Sequence, residues 1–148
     1  GISVNVLVTA LSNASVYATT GFTDGEGFFA ALNQSPPPTW YSAVPTMHQE
    51  ILNFAEAHMA QHNGNAPKHH LKFARNCSAA LLPSVGERME SVLGLEVICT
   101  YAMTESMPIA SNPRPGGRPR KLRSVGFSGG PEILVMKDPE SQTMQLCA

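Results

Sequence analysis

Ser84-Val85-Gly86-Glu87-Arg88-Met89-Glu90-Ser91-Val92-Leu93-Gly94-Leu95-Glu96-Val97-Ile98-Cys99-Thr100-Tyr101 changes period midway, and that change decides the fold. Val85, Met89, Val92 and Leu93 recur at helical spacing and make one apolar face. Ser84 and Glu87 stand at capping-box spacing at its start, and Gly94 is placed to close it in a left-handed conformation. From Glu96 to Tyr101 the chain turns β-branched and aromatic, the composition of a strand. A helix that runs at once into a strand is half of a strand–helix–strand unit.

The other half lies upstream. Leu71 to Arg75 reads as a brief strand. Before it, Thr46 and Gln49 repeat the capping spacing behind Pro45, and Met47, Ile51, Phe54, Ala55 and Met59 share a helical face that the loop Asn63 to Pro67 closes. Trp40 to Val44 reads as a further strand. Thr23 with Glu26 marks another helix start ahead of Phe28 to Leu32, and Pro36-Pro37-Pro38 ends that helix. Ser3 to Leu11 reads as a buried helix and Ser15 to Ala18 as a short strand. Downstream, a Pro/Gly/Arg-rich loop from Pro113 to Arg123 precedes a last expected strand, Glu132 to Lys137. The alternation predicts an α/β fold: a mostly parallel sheet flanked by helices on both faces. Ligands of such sheets bind outside the carboxyl ends of the strands, where the loops Asn76 to Leu82 and Tyr101 to Ser106 fall.

Composition narrows the partners. A length of 148 residues suits one domain with a real core. Only 14% of residues are charged, well under the usual quarter, so some surface is expected to be covered, with oligomers or aggregation through uncovered sheet as the alternative. A net charge of −1 gives no general attraction to nucleic acid or anionic membrane. Arg114, Arg118, Arg120, Lys121 and Arg123 cluster without interleaved aromatics, which favours a solvated loop over a nucleic-acid surface. No apolar run reaches membrane-spanning length, and no basic n-region of a signal peptide opens the chain. Cys77, Cys99 and Cys147 form neither a metal motif nor a disulfide framework, as expected of an intracellular, reducing compartment. His58 and His62 are helically spaced but lack a third ligand, so they read as surface histidines. Met47, Met89 and Met103 read as packing residues, and Cys77 as a small residue rather than a nucleophile.

The stretch richest in chemistry is Tyr101-Ala102-Met103-Thr104-Glu105, where a hydroxyl and a carboxylate stand side by side at a strand end. Magnesium takes one or two carboxylates together with substrate phosphates. Glu105 can supply the carboxylate, and Thr104 can donate to a phosphate oxygen. The same pair also suits a helix N-cap with an acid in its first turn. The residues alone leave both readings open.

Tyr101-Ala102-Met103-Thr104-Glu105 resembles the Y-x-x-T-E signature of the AMP-binding, adenylate-forming superfamily of acyl-CoA synthetases, luciferases and peptide-synthetase adenylation domains. Arg75-Asn76-Cys77-Ser78-Ala79-Ala80-Leu81 resembles that family's small-residue adenine loop. Trp40-Tyr41-Ser42-Ala43-Val44-Pro45-Thr46 resembles the strand and V-P-T turn before a family helix, and Ser124-Val125-Gly126 resembles its G-x-V-G element near the acyl pocket. The motifs stand in family order over residues 28–137, and the stretch through Met47-His48 looks most like oxalyl-CoA and related peroxisomal CoA synthetases.

The resemblance implies roles. Glu105 would bind Mg2+ and act in catalysis with Thr104, which would contact the phosphate of ATP or of the acyl-adenylate. Ser78, Ala79 and Ala80 would lie against adenine, with Tyr101 flanking the nucleotide. His48, Val125 and Gly126 would border the acid substrate. Such enzymes activate a carboxylic acid with ATP and pass the acyl group to coenzyme A; cytoplasmic or peroxisomal placement goes with them. The family's phosphate-cradling loop, its T-G-D element and the catalytic Lys of its C-terminal domain do not occur in residues 1–148. The segment is therefore expected to be a partial AMP-binding domain, with 138–148 unassigned, and to be inactive alone. The other reading, outside catalysis, is a degenerate fragment that keeps the fold as a binding module.

Overall fold

The computed structural model describes residues 2–18, 24–114 and 116–134. Five strands, Trp40–Ala43 (β1), Phe73–Asn76 (β2), Glu96–Met103 (β3), Ser106–Ser111 (β4) and Phe127–Ser128 (β5), form one sheet in that order. The first three are parallel, with Trp40 beside Phe73 and Phe73 beside Glu96. β4 and β5 return antiparallel. The chain adopts the expected α/β fold, in a mixed sheet that is parallel from β1 to β3 and antiparallel at β4 and β5.

Side chains alternate across a strand, and here the two faces differ in cover. Ala74, Val97 and Cys99 face a core that also holds Phe29 and Leu32 of α2 (Gly25–Leu32), Ile51, Leu52 and Ala55 of α3 (Pro45–Gln61), and Val85, Met89 and Leu93 of α4 (Pro83–Leu93). An Arg88–Glu56 ion pair joins α4 to α3 at the surface. The opposite parity carries Trp40 stacked on Phe73, together with Ser42, Arg75 and Thr100. A π-helical turn, Ile2–Leu7, continuing into α1 (Val8–Leu11), meets that face where Arg75 reaches Asn5.

Several local expectations are corrected. Neither α3 nor α4 begins with a side-chain cap: proline occupies the first turn of each, and Val44 and Leu82 are the N-caps. Proline there needs no N–H and already has helical φ, so it sets the start without Thr46 or Ser84. α2 is capped by Asp24, whose carboxylate accepts from the Gly27 amide; Thr23 lies outside the described residues. Gly94 closes α4 at φ 64°, as expected. The N-terminal helix is not buried: within it only Thr9 is inside, and Leu11 is 88% exposed. Ser15 to Ala18 forms no strand. Glu132 to Leu134 are not strand either, and the rest of that expected element lies outside the described residues. β4 and β5 were not anticipated. Their pattern of Pro108 and scattered small residues hides any period of two.

Candidate nucleotide site

β2 ends at Asn76, level with Cys99 of β3. Beyond it the chain is drawn back to β1 by the Cys77 amide, which donates to the Ala43 carbonyl at 3.1 Å. Asn76 is buried, and its Nδ2 donates to the Ala79 carbonyl at 2.8 Å. That clamp turns Ser78, Ala79 and Ala80 outward, all exposed, with Ser78 held at φ 71°. A left-handed non-glycine residue carries strain of order 1 kcal/mol or more, of the kind found at binding loops. Asn76 was not singled out from the sequence. An Asn between Arg75 and Cys77 gives no signal until its burial is seen.

β3 runs four residues past β2, through Met103. Thr104 and Glu105 then form the tip of a hairpin, with Met103 paired to Ser106. The expected loop from Tyr101 to Ser106 is thus a strand end and a tight turn. No helix follows, so the N-cap reading of Thr104 fails. Met103, expected in the core, is 47% exposed. Tyr101, paired with Ala110, is half exposed on the strand leading to the turn. Both turn side chains are exposed, and among the described residues neither makes a hydrogen bond or ion pair. A bare carboxylate beside a hydroxyl is a donor set suited to a hard cation that brings its own phosphate ligands. No cluster of three or more metal-binding side chains occurs among the described residues.

Ser124-Val125-Gly126 is positioned by a residue the sequence did not flag. Asn112, 4% exposed, donates through Nδ2 to the carbonyls of Lys121 and Ser124, and its Oδ1 accepts from the Lys121 amide. Gly126 sits at φ +88°, so close to β4 that a Cβ would stand 2.1 Å from the Ser111 carbonyl oxygen. Val125 is 43% exposed. The basic loop is only partly solvated. Arg120 is held by Glu90 at 2.6 Å and by the Val97 carbonyl at 3.1 Å, with Glu96 3.5 Å away.

His48 is fully buried in the first turn of α3, with Nδ1 3.0 Å from the Tyr41 hydroxyl. Burial pushes its pKa down to about 4, although the Arg75 and Ala43 carbonyls favour the proton. Among the described residues no partner completes a hydrogen bond to Nε2. Burial also raises the Tyr41 pKa well above its ordinary value. The structure therefore puts Ser78–Ala80 and Thr104–Glu105 beyond the carboxyl ends of the parallel strands β2 and β3 and sets Gly126 against β4. It leaves His48 with no exposed surface.

Comparison with known proteins shows the family. A family model described as AMP-binding enzyme matches residues 1–145. An oxalate–CoA ligase of Arabidopsis thaliana is 42% identical over 101 residues, covering 68% of this chain and 19% of that protein. A solved malonyl-CoA ligase with methylmalonyl-CoA and AMP bound is 30% identical, with a TM-score of 0.62 over 84% of this chain and 26% of the other. A Brucella canis acyl-CoA synthetase superposes at a TM-score of 0.80 over the whole chain and 26% of its own, at 17% identity. The chain spans about a fifth of the length of the curated relative. With the family pattern running through nearly all its residues, the chain belongs to the AMP-binding enzyme family.

Proposed function

We propose that this chain is the segment of an ATP-dependent carboxylic acid–CoA ligase that carries the adenine loop and the Thr–Glu turn. The observation that carries the reading is Glu105: exposed, unpaired among the described residues and next to Thr104, at the edge where Ser78 to Ala80 lie open. Ser78, Ala79 and Ala80 offer backbone and small side chains to the adenine face, and Tyr101 flanks the nucleotide. Thr104 donates to a phosphate oxygen, and Glu105 holds Mg2+. Mg2+ held by Glu105 would supply charge neutralisation for the phosphates of ATP; the acid attacks the α-phosphorus, forming the acyl-adenylate as pyrophosphate leaves. No protein nucleophile is needed, because the gain comes from positioning and electrostatics. Val125 and Gly126 border the acid, whereas His48, fully buried against Tyr41, does not reach it. Coenzyme A then takes the acyl group. A cytoplasmic or peroxisomal setting accompanies this reading, and no helix of the described residues is long and apolar enough to cross a membrane.

Oxalate and a malonyl group both carry a second carboxylate. We extend that to this chain and assign its acid as a short dicarboxylate. The nucleotide reading is tested by thermal unfolding of the chain at millimolar ATP and Mg2+. Stabilisation is expected, by roughly 1–3 kcal/mol if ATP is ten to a hundred times its Kd, and lost in Glu105→Ala. Absence of any ATP shift would instead favour a fragment that keeps the fold without the site.

A further inference from the structure

Buried donors and acceptors are seldom left bare, because an unanswered one loses its water and gains nothing in return. Two polar side chains buried beside the loop of small residues each keep one such atom, unpartnered among the described residues: Nε2 of His48 and Oδ1 of Asn76. Both lie on the helix-covered side of the sheet, at the carboxyl ends of β1 and β2. Asn76 shares its face of β2 with Ala74 of the core, and it pairs in register with Ala43. Ala43 directly precedes Val44, the N-cap of α3, and His48 stands in the first turn of that helix.

The bonds that are made fix what the free atoms can do. Asn76 Nδ2 donates to the Ala79 carbonyl at 2.8 Å, so the free end of the amide is the oxygen, which only accepts. His48 Nδ1 lies 3.0 Å from the Tyr41 hydroxyl. Burial lowers the imidazole pKa to about 4 and raises that of the phenol, so at pH 7 the ring is neutral and Tyr41 keeps its proton. The Arg75 and Ala43 carbonyls favour a proton on the ring. Placed on Nε2, that proton faces them, and Tyr41 donates to Nδ1; the network assigns this tautomer. One N–H donor thus meets three acceptors, two carbonyls and Asn76 Oδ1, and bonds none of them directly. An anion would meet three acceptors, and a cation would meet the N–H. A small neutral molecule that both accepts and donates fits, and an internal water makes about three such bonds.

We infer that His48 and Asn76 hold an internal water beneath Ser78, Ala79 and Ala80, and that His48 acts through it as a positioning residue for that loop. The relay runs from Tyr41 O–H to Nδ1, from Nε2–H to the water, from the water to Oδ1, and from Nδ2 to the Ala79 carbonyl. It ties β1 and the start of α3 to the loop, and it opposes the amide rotation that would release Ala79. Its effect on nucleotide binding rests on the ligase reading; the water site does not.

The test is nuclear magnetic resonance of the 148-residue chain at pH 7. The His48 ring nitrogens should show the Nε2–H tautomer, and a rotating-frame Overhauser peak of dipolar sign should join Nε2–H to water. His48→Phe keeps a ring and removes the donor. In it, exchange of the Cys77 amide, which holds the loop to the Ala43 carbonyl, should rise about three- to tenfold, the worth of one hydrogen bond. The Gly94 amide, bonded to Glu90 at the far end of α4, should not follow. Asn76→Leu cuts the same relay, so adding His48→Phe to it should change little. A merely structural His48 would instead raise exchange at Gly94 by the same factor and add its effect to that of Asn76→Leu. Either result, the other tautomer, or no water peak at Nε2 overturns the assignment. ATP stabilisation that is lost in Glu105→Ala then leaves the ligase reading standing. If ATP does not stabilise the native chain, that reading falls while the water site stands on its own signals. Should the variants fail to fold, the tautomer and water peak of the native chain decide.

Discussion

At the residue scale, His48 shows how burial alone turns a side chain into a pH-dependent stabiliser. Its folded pKa, about 4, lies below the ordinary 6.5 because desolvation disfavours the imidazolium. Below pH 6.5 the unfolded chain therefore binds the proton that the folded chain refuses. The contribution is fully present above about 6.5 and is lost as pH falls towards 4. Across that window it amounts to about 3 kcal/mol, taking roughly 1.4 kcal/mol per unit. Urea unfolding at pH 7.0, 5.5 and 4.5 should show stability falling with pH, and His48→Gln should flatten the dependence. His69, whose burial lowers its pKa while its Nε2 bonds to the Leu93 carbonyl, works in the same direction and supplies the slope that remains. An equal slope in the variant would remove His48 from the account. Gly126 makes a second case at this scale. Gly126→Ala places a methyl on the Ser111 carbonyl at a φ that L-residues avoid, so destabilisation of about 2 kcal/mol or more is expected by denaturant midpoint.

At the scale of elements, α4 is a helix with a vacancy at its start. Leu82 has the extended φ of −62° and ψ of 128° proper to an N-cap, but it offers no acceptor and is 67% exposed. Leu82→Asp should add the missing hydrogen bond and an anion at the positive end of the helix dipole. A gain of about 0.5–1.5 kcal/mol follows, read by chemical unfolding. A loss would mean that the apolar side chain is covered by something in solution. The contrast with Met89 is instructive: it is fully buried between α4 and the sheet, so Met89→Ala should cost about 2–5 kcal/mol. The helix is held far more by that face than by its cap.

At the scale of the molecule, the two faces of the sheet are unequal. One is covered by three helices; among the described residues the other meets the short N-terminal helix, whose Val6, Leu7, Val8 and Leu11 are themselves exposed. With charge at 14%, little electrostatic repulsion opposes contact between such surfaces. Sedimentation velocity is expected to show self-association that grows with concentration and changes little with salt. Replacing Leu7 and Leu11 by Lys should shift the distribution towards monomer. A single monomeric boundary at all concentrations would refute this.

Much of this was legible in the residues, because periodicity and backbone constraint are local. The change of period at Gly94 and the apolar stripe of α4 each follow from what neighbouring side chains and φ angles allow. The Thr–Glu motif likewise carried the family. The sequence could not say that Thr104 and Glu105 stand on a hairpin rather than a helix, since that depends on β4 returning to pair with β3. Nor could it reveal that Asn76 and Asn112 clamp the two loops from inside, or that Arg120 is paired with two carboxylates. Burial and pairing are set by residues far apart in the chain, so only the tertiary structure decided them.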